Sequence, residues 1–478
     1  MATPAQIDEQ VALEREQIRQ GLQRLRDNTR KLQEQSYASA TVYGVASIDA
    51  LLPKLVEHIQ ESSEYRLKRG SGHQFDLIKN YVSQLEPLAS AAIALKLTFD
   101  KVFSTTKGSD QLQSVCDSIG HAIESECQMR YYEKTAPGLL AVLKKNYFHK
   151  SIGTQQKLTV ITTLMNRCEV PEWERWGRAN RIKLGAWLLD CIMQTSGWFV
   201  KDLRRLGKIT VTFVAPTPEF LKIRDKVMSD AELFAPLAWP MLIEPNDWTN
   251  ERPGGYLLNE VMQGYALVRR GDPARLQEEV PLAFLNKIQK VAYQINPFIY
   301  GVAEELTRME RSVGKFLPIV HHQLPTKPAD IETNYDSRKD YRRRAAEVLN
   351  LQAQEPKKSC RTRMTMEAAK RFKDRDRFFC PWSFDYRGRA YPIPAFLTPQ
   401  DTDFGKSLLR FADGSYMTPE AESWLAFQVA TCYGLDKATM SERLAWVDAN
   451  ITLISRIATD PIGSLPEWEA AEEPWQFR

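Results

Sequence analysis

The chain has 478 residues, of which 43% are hydrophobic and 26% charged, and its net charge is +4. This length fits two to four domains, and the composition is ordinary for a soluble globular protein with a buried core. No window approaches the roughly eighteen consecutive apolar residues of a membrane span, and the polar start MATPAQIDEQVALERE lacks the apolar core of a signal peptide. We therefore expect a cytosolic protein.

The cysteines and histidines give no sign of a metal or disulfide framework. The seven cysteines are scattered and include no C-x-x-C pair. His321 and His322 are adjacent, so on a helix they would point to different faces. We predict no metal site made of these residues. The motifs of common cofactor and hydrolase sites, G-x-x-x-x-G-K-[ST], G-x-G-x-x-G, G-x-S-x-G and H-E-x-x-H, are also absent.

The first half of the chain has mostly helical periodicity. The opening stretch is predicted to be a helix, because four apolar residues recur every seven positions: Val11, Ile18, Leu25 and Leu32. This seam is compatible with a coiled coil, but Gly21 interrupts it, so we favour a helix that packs one stripe on its own domain. Further helices are predicted over residues 48–59, 111–132 and 183–195. Residues 68–72, KRGSG, are predicted to form a basic loop between two helices.

From residue 206 onward, the chain alternates strand, loop and helix signals. The pattern ITVTFVAP predicts a β-hairpin over residues 206–216 with its tip at 206–209. After a loop-rich stretch, residues 281–302 are predicted to be one helix, kinked at Asn296-Pro297. The segment LPTKPADIETN, from Leu324, is predicted to be an extended linker.

Charge is distributed unevenly in the C-terminal third. Residues 338–376 hold thirteen Lys/Arg and six Asp/Glu, whereas residues 413–478 hold four Lys/Arg and eleven Asp/Glu. A charge run is most often a solvated helix face. A basic stripe of this kind can nevertheless bind a phosphate backbone in a protein whose total charge is near neutral.

The segment DYRGRAY, residues 385–391, has the densest concentration of residue types that suit nucleic acid. Arginine forks match phosphate oxygens, tyrosine stacks on bases, and Gly388 allows close backbone approach. If the run is extended, Arg387, Arg389 and Tyr391 share a face. The alternative is an Arg–Asp pair that braces a buried turn, with both tyrosines in the core.

The pattern F-x-x-P-x-x-x-D-Y-R-G-R-x-Y, followed by GKSLL at residues 405–409, strongly resembles the start of the palm in single-subunit RNA polymerases. This family serves T-odd-type, short-tailed bacteriophages and, in relatives, mitochondria. The phage motif has a tryptophan where Tyr386 stands. Other blocks resemble the family in consistent order: SIGHAIESE, PNDWTNERPGGYL, YALVRRG, residues 291–302 as the first thumb helix, and LPTKPADI.

The resemblance implies a mainly α-helical fold. It predicts an N-terminal promoter-binding domain with a small β-hairpin over residues 1–277, a helical thumb over 278–376, and an incomplete start of a right-hand polymerase palm over 377–478. The function implied is DNA-dependent RNA synthesis, which makes the family nucleotidyltransferases that act in phage transcription.

The family's contact roles fall on particular residues here. Residues expected to lie against the template strand and the RNA–DNA hybrid are Tyr386, Arg387, Arg389, Tyr391 and Lys406. The basic thumb helices are expected to place Lys357, Lys358, Arg361 and Arg363 along the hybrid or upstream DNA. Lys68 and Arg69 lie where the family reads an AT-rich promoter element through the minor groove. The hairpin carries Lys208 and Ile209, and Ile209 is our choice for the residue that opens the promoter by inserting between base pairs.

The resemblance also implies what is missing. The family's two metal-binding aspartates lie beyond the matched segments, so we expect no catalytic residue and no metal site in this chain, and Mg²⁺ only with a separate catalytic half. Asp385, Asp401, Asp403 and Asp413 are not expected to substitute, since loop aspartates are usually turn or cap residues. We expect the chain alone to be inactive.

Three hypotheses remain open from the sequence. The chain is a piece or subunit of a split polymerase that binds double-stranded promoter DNA, template and hybrid in the cytoplasm of an infected bacterium, together with a C-terminal polymerase half. Alternatively, it is a non-catalytic DNA-binding transcription regulator derived from such an enzyme. An unrelated helical scaffold would require the ordered matches to be accidental.

Overall fold

The structure, a computed structural model, describes residues 2–72, 74–104, 108–146, 154–262, 265–268 and 279–478. These residues are mainly α-helical, with small antiparallel sheets, as predicted. No helix among them is long and apolar enough to cross a membrane. The chain divides into two compact units: Leu22–Ala235, called the N-terminal unit, and residues 1–21 with Pro236–Arg478, called the composite unit. The predicted boundary after residue 277 lies outside the described residues, and both domain boundaries remain predictions.

The opening helix α1 spans Pro4–Glu34 and confirms the predicted helix. Its buried positions are Gln10, Glu14, Gln17 and Gly21, so the fully buried stripe is polar and not the predicted apolar heptad. The reason lies in the composite unit, where the Glu14 carboxylate accepts the backbone N–H groups of Leu257 and Leu258 at 3.0 and 2.7 Å. A buried carboxylate is tolerated there because these donors replace its water.

The N-terminal unit is a helical body with one small sheet. Its elements are α2 Val42–Arg69, α3 Phe75–Asn80, α4 Pro87–Val102, β1 Asp110–Gln111, α5 Leu112–Thr135, α6 Pro137–Asn146, α7 Thr154–Arg167, α8 Gly177–Ser196, β2 Phe199–Leu206, β3 Ile209–Pro216 and α9 Pro218–Leu233. The predicted helices at 48–59, 111–132 and 183–195 are thus confirmed. Phe99 makes edge contacts with Phe199 and Phe220 in the centre of the core.

The predicted hairpin is confirmed, and it is longer than the sequence pattern indicated. Strands β2 and β3 pair antiparallel from Phe199↔Pro216 to Leu206↔Ile209, and β1 pairs with the other edge of β3. The turn has two residues, Gly207 and Lys208. Gly207 has φ 64°, a positive value that glycine adopts without strain in a two-residue hairpin turn.

The composite unit contains the remaining elements. These are α10 Asn259–Met262, α11 Glu279–Ile288, β4 Ala292–Ile295, α12 Pro297–Arg308, α13 Tyr335–Lys358, α14 Cys360–Phe372, β5 Phe378–Phe379, β6 Trp382–Phe384, β7 Ala390–Pro392, α15 Asp403–Ser407, β8 Leu409–Phe411, α16 Pro419–Tyr433, α17 Met440–Thr459, α18 Leu465–Trp468 and α19 Pro474–Phe477. Its sheets have the orders β5-β4-β8 and β6-β7. The two basic helices are as predicted, whereas the linker before them is extended only as far as Pro328 and then forms turns over residues 329–333.

The prediction of one kinked helix over residues 281–302 is wrong. A strand, β4, separates α11 from α12 and pairs with both β5 and β8. Asn296 is the N-cap of α12, and its side chain accepts the N–H groups of Phe298 and Ile299. Asn-Pro therefore begins a helix here, because proline suits the first helical position and asparagine caps it. The segment resembling the first thumb helix is accordingly a strand followed by a helix.

The core of the composite unit brings the end of the chain against α15. Phe316, Phe404 and Trp475 pack with ring centroids 4.7 to 4.9 Å apart. Asp403 accepts the backbone N–H groups of Trp475 and Gln476 at 2.9 and 3.0 Å. These hydrogen bonds satisfy backbone N–H groups in the first turn of α19 that have no acceptor within the helix.

Candidate nucleic-acid interface

The DYRGRAY segment forms the turn of the β6–β7 hairpin. The strands pair from Trp382↔Pro392 to Phe384↔Ala390, so residues 385–389 form a five-residue loop. The Asp385 carboxylate accepts the N–H groups of Arg387 and Arg389 at 2.8 and 2.9 Å, and it pairs with the Arg389 guanidinium at 2.8 Å. Gly388 has φ 80°, a left-handed conformation that glycine adopts without strain. The loop is thus held by one carboxylate.

This geometry decides between the two interpretations of the segment. The run is not extended, so the shared face expected for Arg387, Arg389 and Tyr391 does not exist in that form. The Arg–Asp brace of the alternative is present, but the turn is exposed and not buried. Tyr386 is 65% exposed, and Tyr391 is half-buried. The loop therefore presents two arginines and a tyrosine to solvent on a rigid base.

Two opposing effects act on the pKa of Asp385. Partial burial raises it, whereas hydrogen bonds from the Arg389 backbone and side chain and from the Arg387 backbone lower it, and the net pKa lies below the ordinary value. The Arg387 guanidinium lies over the Tyr386 ring at 5.0 Å, and its Nε donates to the Tyr386 hydroxyl at 2.8 Å. Both arginines keep N–H groups for an anion, because a guanidinium has five.

The four predicted thumb residues differ in how available they are. Arg361 donates to the buried carboxylate of Asp401 at 3.2 Å, and Arg363 donates to the Pro356 carbonyl at 3.0 Å. These two arginines therefore have structural partners. Lys358 pairs with Glu355 at 3.3 Å, while Lys357 is exposed and forms no salt bridge with a described residue.

The first half of α13 offers basic side chains that the sequence reasoning did not single out. Lys339 and Arg342 are exposed, and neither forms a salt bridge within the described part of the chain. Arg343 and Arg344 share Asp340 at 2.7 Å each. The sequence signal was the YRRR run. Arg343 and Arg344 lie three and four residues after Asp340, and this spacing predicts that they pair with it on a helix, whereas Arg342 does not.

Lys406 lies in α15, which follows the hairpin in the chain. Thr402 caps this helix, and Lys406 is half-buried and forms no salt bridge with any described residue. Gly405 before it is required by packing, because a Cβ there would lie 2.3 Å from Cγ of Asp401. The GKSLL block therefore contains a glycine packed closely against Asp401, followed by its one lysine, Lys406.

The aspartates of this region are occupied by structural contacts. Asp401 accepts the Leu397 N–H at 3.0 Å in addition to Arg361. Asp403 caps α19, and its pKa is raised by burial despite the hydrogen bonds from Trp475 and Gln476. Asp413 lies 3.2 Å from Arg377. Among the described residues, no group of three or more His, Cys, Asp or Glu could hold a metal ion.

Lys68 and Arg69 lie in the last turn of α2 and not in a loop, which corrects that detail of the prediction. Both are exposed. The helix ends at Gly70, which has φ 70° and the left-handed conformation of a C-cap. Basic residues at this position also interact favourably with the helix dipole, so their charge alone does not prove a DNA contact.

The tip of the β2–β3 hairpin is apolar and exposed. Ile209 is 63% exposed and Lys208 is exposed. The structure adds two apolar residues to which the sequence reasoning gave no binding role: Leu206, which lies in the predicted tip and pairs with Ile209, and Leu203, which is 71% exposed. The missed signal was the length of β2, since the sequence FVKDLRRL lacks regular alternation.

Comparison with known proteins identifies the family of this chain. Residues 9–291 match the family model described as DNA-directed RNA polymerase N-terminal, and residues 416–477 match that of DNA-dependent RNA polymerase. The DNA-directed RNA polymerase of Enterobacteria phage T3 is 26% identical over 98% of this chain and 54% of its own length. T7 RNA polymerase of Escherichia phage T7 is 25% identical with the same coverage.

A mitochondrial DNA-directed RNA polymerase from Neurospora crassa is 26% identical over 63% of this chain and 23% of its own length. The chain spans about half the length of the phage relatives it matches. The N-terminal model covers more than half of the chain, in agreement with the resemblance of the sequence blocks. The chain therefore belongs to the phage-type, single-subunit DNA-directed RNA polymerase family.

Proposed function

We propose that this chain is the DNA-gripping part of a DNA-directed RNA polymerase that acts in phage transcription, in the cytoplasm of an infected bacterium. The observation that carries the proposal is the braced, exposed loop of the β6–β7 hairpin. It presents Arg387, Arg389 and Tyr386, whose chemistry suits a phosphate backbone and a base. Lys406, Lys357 and the first half of α13 supply further positive charge for the template strand and the RNA–DNA hybrid.

The N-terminal unit has the second part of this function. Lys68 and Arg69 at the end of α2 suit the narrow, electronegative minor groove of AT-rich DNA. The hairpin tip offers Ile209 and Leu206 as apolar side chains that can insert between base pairs, with Lys208 for a phosphate. Exposure of large apolar residues beside a two-residue turn is otherwise unfavourable, which supports a binding role.

Magnesium chemistry is not assigned to this chain. Two-metal nucleotidyl transfer needs carboxylates that are free to bridge the ions. Asp385, Asp401 and Asp403 are each engaged by backbone or arginine donors, which supports the proposal that these three aspartates hold no metal ion. We propose that a second polypeptide or segment supplies any Mg²⁺ step.

An apolar surface on the composite unit supports such a partner. Tyr416 is 99% exposed, and Trp424 and Leu425 on α16 are more than half exposed. Large exposed apolar residues in close sequence usually mark an interaction site. Because the phage relatives are about twice as long, we propose that a C-terminal polymerase half covers this surface. The engaged aspartates equally favour the second candidate, a non-catalytic DNA-binding regulator.

Run-off transcription separates these functions. The chain is incubated with promoter DNA, nucleotides and Mg²⁺, alone and with a purified C-terminal half, and DNA binding is measured in parallel. RNA that forms only when both polypeptides are present would support the split polymerase. DNA binding without RNA in either reaction would favour the regulator, and RNA from this chain alone would contradict the assignment of the aspartates.

A further inference from the structure

A surface cavity of about 560 Å³ opens in the N-terminal unit between the turn before α4, the end of α5 and the extended segment 171–176. Aromatic side chains form its wall. The ring centroids of Tyr81 and Trp176 are 5.1 Å apart, those of Tyr131 and Trp173 are 5.6 Å apart, and the two indoles are 6.1 Å apart. The wall is therefore one continuous aromatic cluster.

The segment that carries the two tryptophans is anchored in place. The Tyr131 hydroxyl donates to the Pro171 carbonyl at 3.1 Å, and the backbone N–H of Trp176 donates to the buried carboxylate of Glu124 at 2.7 Å. A site built on such fixed backbone loses little conformational entropy when a ligand binds.

Carboxylates stand beside this aromatic wall. Glu172 and Glu174 line the cavity, are exposed, and form no salt bridge with a described residue. Arg175 also lines it, so the cavity has two negative charges and one positive charge. Aromatic faces carry negative electrostatic potential and attract cations, which the adjacent carboxylates reinforce. An anionic ligand would meet two unpaired carboxylates and is disfavoured.

A second cavity of about 920 Å³ continues from the first and shares Gln84, Tyr131 and Trp173 with it. Three buried apolar side chains line it: Ile59, Val82 and Leu85. Glu64 and Glu86 are on its rim. Arg130, Glu133 and Lys134 also line this cavity, and Arg130 pairs with Glu86 and Glu126 at 3.2 and 3.1 Å. The chemistry thus changes along the groove from aromatic to aliphatic, with carboxylates at both ends.

We infer that this double cavity binds an aliphatic alkylammonium cation of the polyamine type. One ammonium group lies against the aromatic wall between Glu172 and Glu174, the methylene chain covers the apolar floor, and a further ammonium group reaches Glu64. The same chemistry is presented by a lysine side chain of a partner protein.

Isothermal titration of the full chain with spermidine, without DNA and at constant ionic strength, tests the inference. We expect one binding site, weakened roughly tenfold in Glu172→Gln/Glu174→Gln. These two residues are exposed, so folding should be unaffected. The matched control is Glu219→Gln/Asp230→Asn, which removes two exposed carboxylates elsewhere in the same unit and should bind spermidine like the unmodified chain.

A peptide with two lysines flanking a leucine distinguishes the source of the cation. Tighter binding of the peptide than of spermidine, with the same loss in Glu172→Gln/Glu174→Gln, would identify a protein ligand and still support the site. Trp173→Leu should weaken both probes, with its fold checked by circular dichroism. Absence of binding by both probes, or equal weakening in the two double variants, would overturn the inference.

Discussion

The two exposed hairpins of this protein both turn at a glycine with positive φ, but the side chains at their tips differ in chemistry. The β2–β3 turn and the β6–β7 loop both use a left-handed glycine, Gly207 at φ 64° and Gly388 at φ 80°. In the first, the apolar Leu206 and Ile209 flank Gly207 and Lys208, and Arg205 donates to the Gly207 carbonyl at 3.3 Å. In the second, Asp385 holds two backbone amides and a guanidinium.

This difference indicates different tasks. A braced polar loop keeps its arginines in one arrangement, which favours binding to phosphates that are themselves fixed in space. An apolar tip without a polar network gains free energy only when it is buried, as it would be between unstacked bases. We therefore expect the β6–β7 loop to determine affinity and the β2–β3 tip to determine strand opening.

The largest effect should come from removing the brace. Asp385→Ala leaves the Arg387 and Arg389 amides without their acceptor, so the loop becomes mobile, and affinity for an RNA–DNA hybrid should fall roughly tenfold. Removal of a negative charge alone would strengthen binding, so the sign is diagnostic. Fluorescence anisotropy with a labelled hybrid measures it, and unchanged or tighter binding would show that the brace has no role.

The apolar tip should affect opening more than binding. For Leu206→Ser/Ile209→Ser we expect promoter duplex affinity within about twofold of the unmodified chain and a several-fold smaller 2-aminopurine signal at the melted step. Val200→Ser at the far end of β2 is also exposed and serves as the control. Equal opening by all three proteins would remove the hairpin from the mechanism.

The two glycines should be equally sensitive to a side chain. An added Cβ meets no atom within 4 Å at either position, so only the left-handed backbone is strained, and Gly207→Ala and Gly388→Ala should each cost about 1 kcal/mol of unfolding free energy. Gly301 in α12 is also open but helical. Gly301→Ala should instead stabilise by about 0.5 kcal/mol. Urea unfolding of the three variants tests these signs.

Acid should loosen one hairpin tip and not the other. Because the folded pKa of Asp385 is lowered, its stabilising contribution is present above the unfolded pKa of about 3.9 and is lost as pH falls through the folded pKa. Amide protection factors of Arg387 and Arg389 should drop in that window. Residues 206–209 contain no acid, so protection there should not follow this titration, and a common drop would point to global unfolding.

Local patterns in the sequence predicted much of this architecture. Helical periodicity located α2, α5 and α8, and alternation located the β2–β3 hairpin. The errors arose where the same residues are compatible with two different local structures. Asn296-Pro297 was interpreted as a kink but begins a helix, and the strand before it is set by pairing with β5 and β8, which are distant in sequence.

The candidate site was predictable in composition but not in geometry. The motif predicted which residue types are grouped, whereas the five-residue loop depends on the β6–β7 register. The sequence alone did not show that Arg361 and Arg363 have partners within the protein. Their partners, Asp401 and the Pro356 carbonyl, were identified only in the structure. The polar stripe of α1 was likewise hidden, since two of the donors to the buried Glu14 carboxylate lie more than two hundred residues away.

The salt dependence of hybrid binding tests the central claim most directly. The logarithm of the association constant for a short RNA–DNA hybrid is measured against the logarithm of salt concentration for the unmodified chain, Arg387→Gln/Arg389→Gln, and the control Arg19→Gln/Arg308→Gln, which removes two exposed arginines of the same unit. We expect the first variant to bind more weakly with a slope shallower by about two, and the control to be unchanged. Equal slopes in all three proteins would contradict a phosphate grip by the β6–β7 loop.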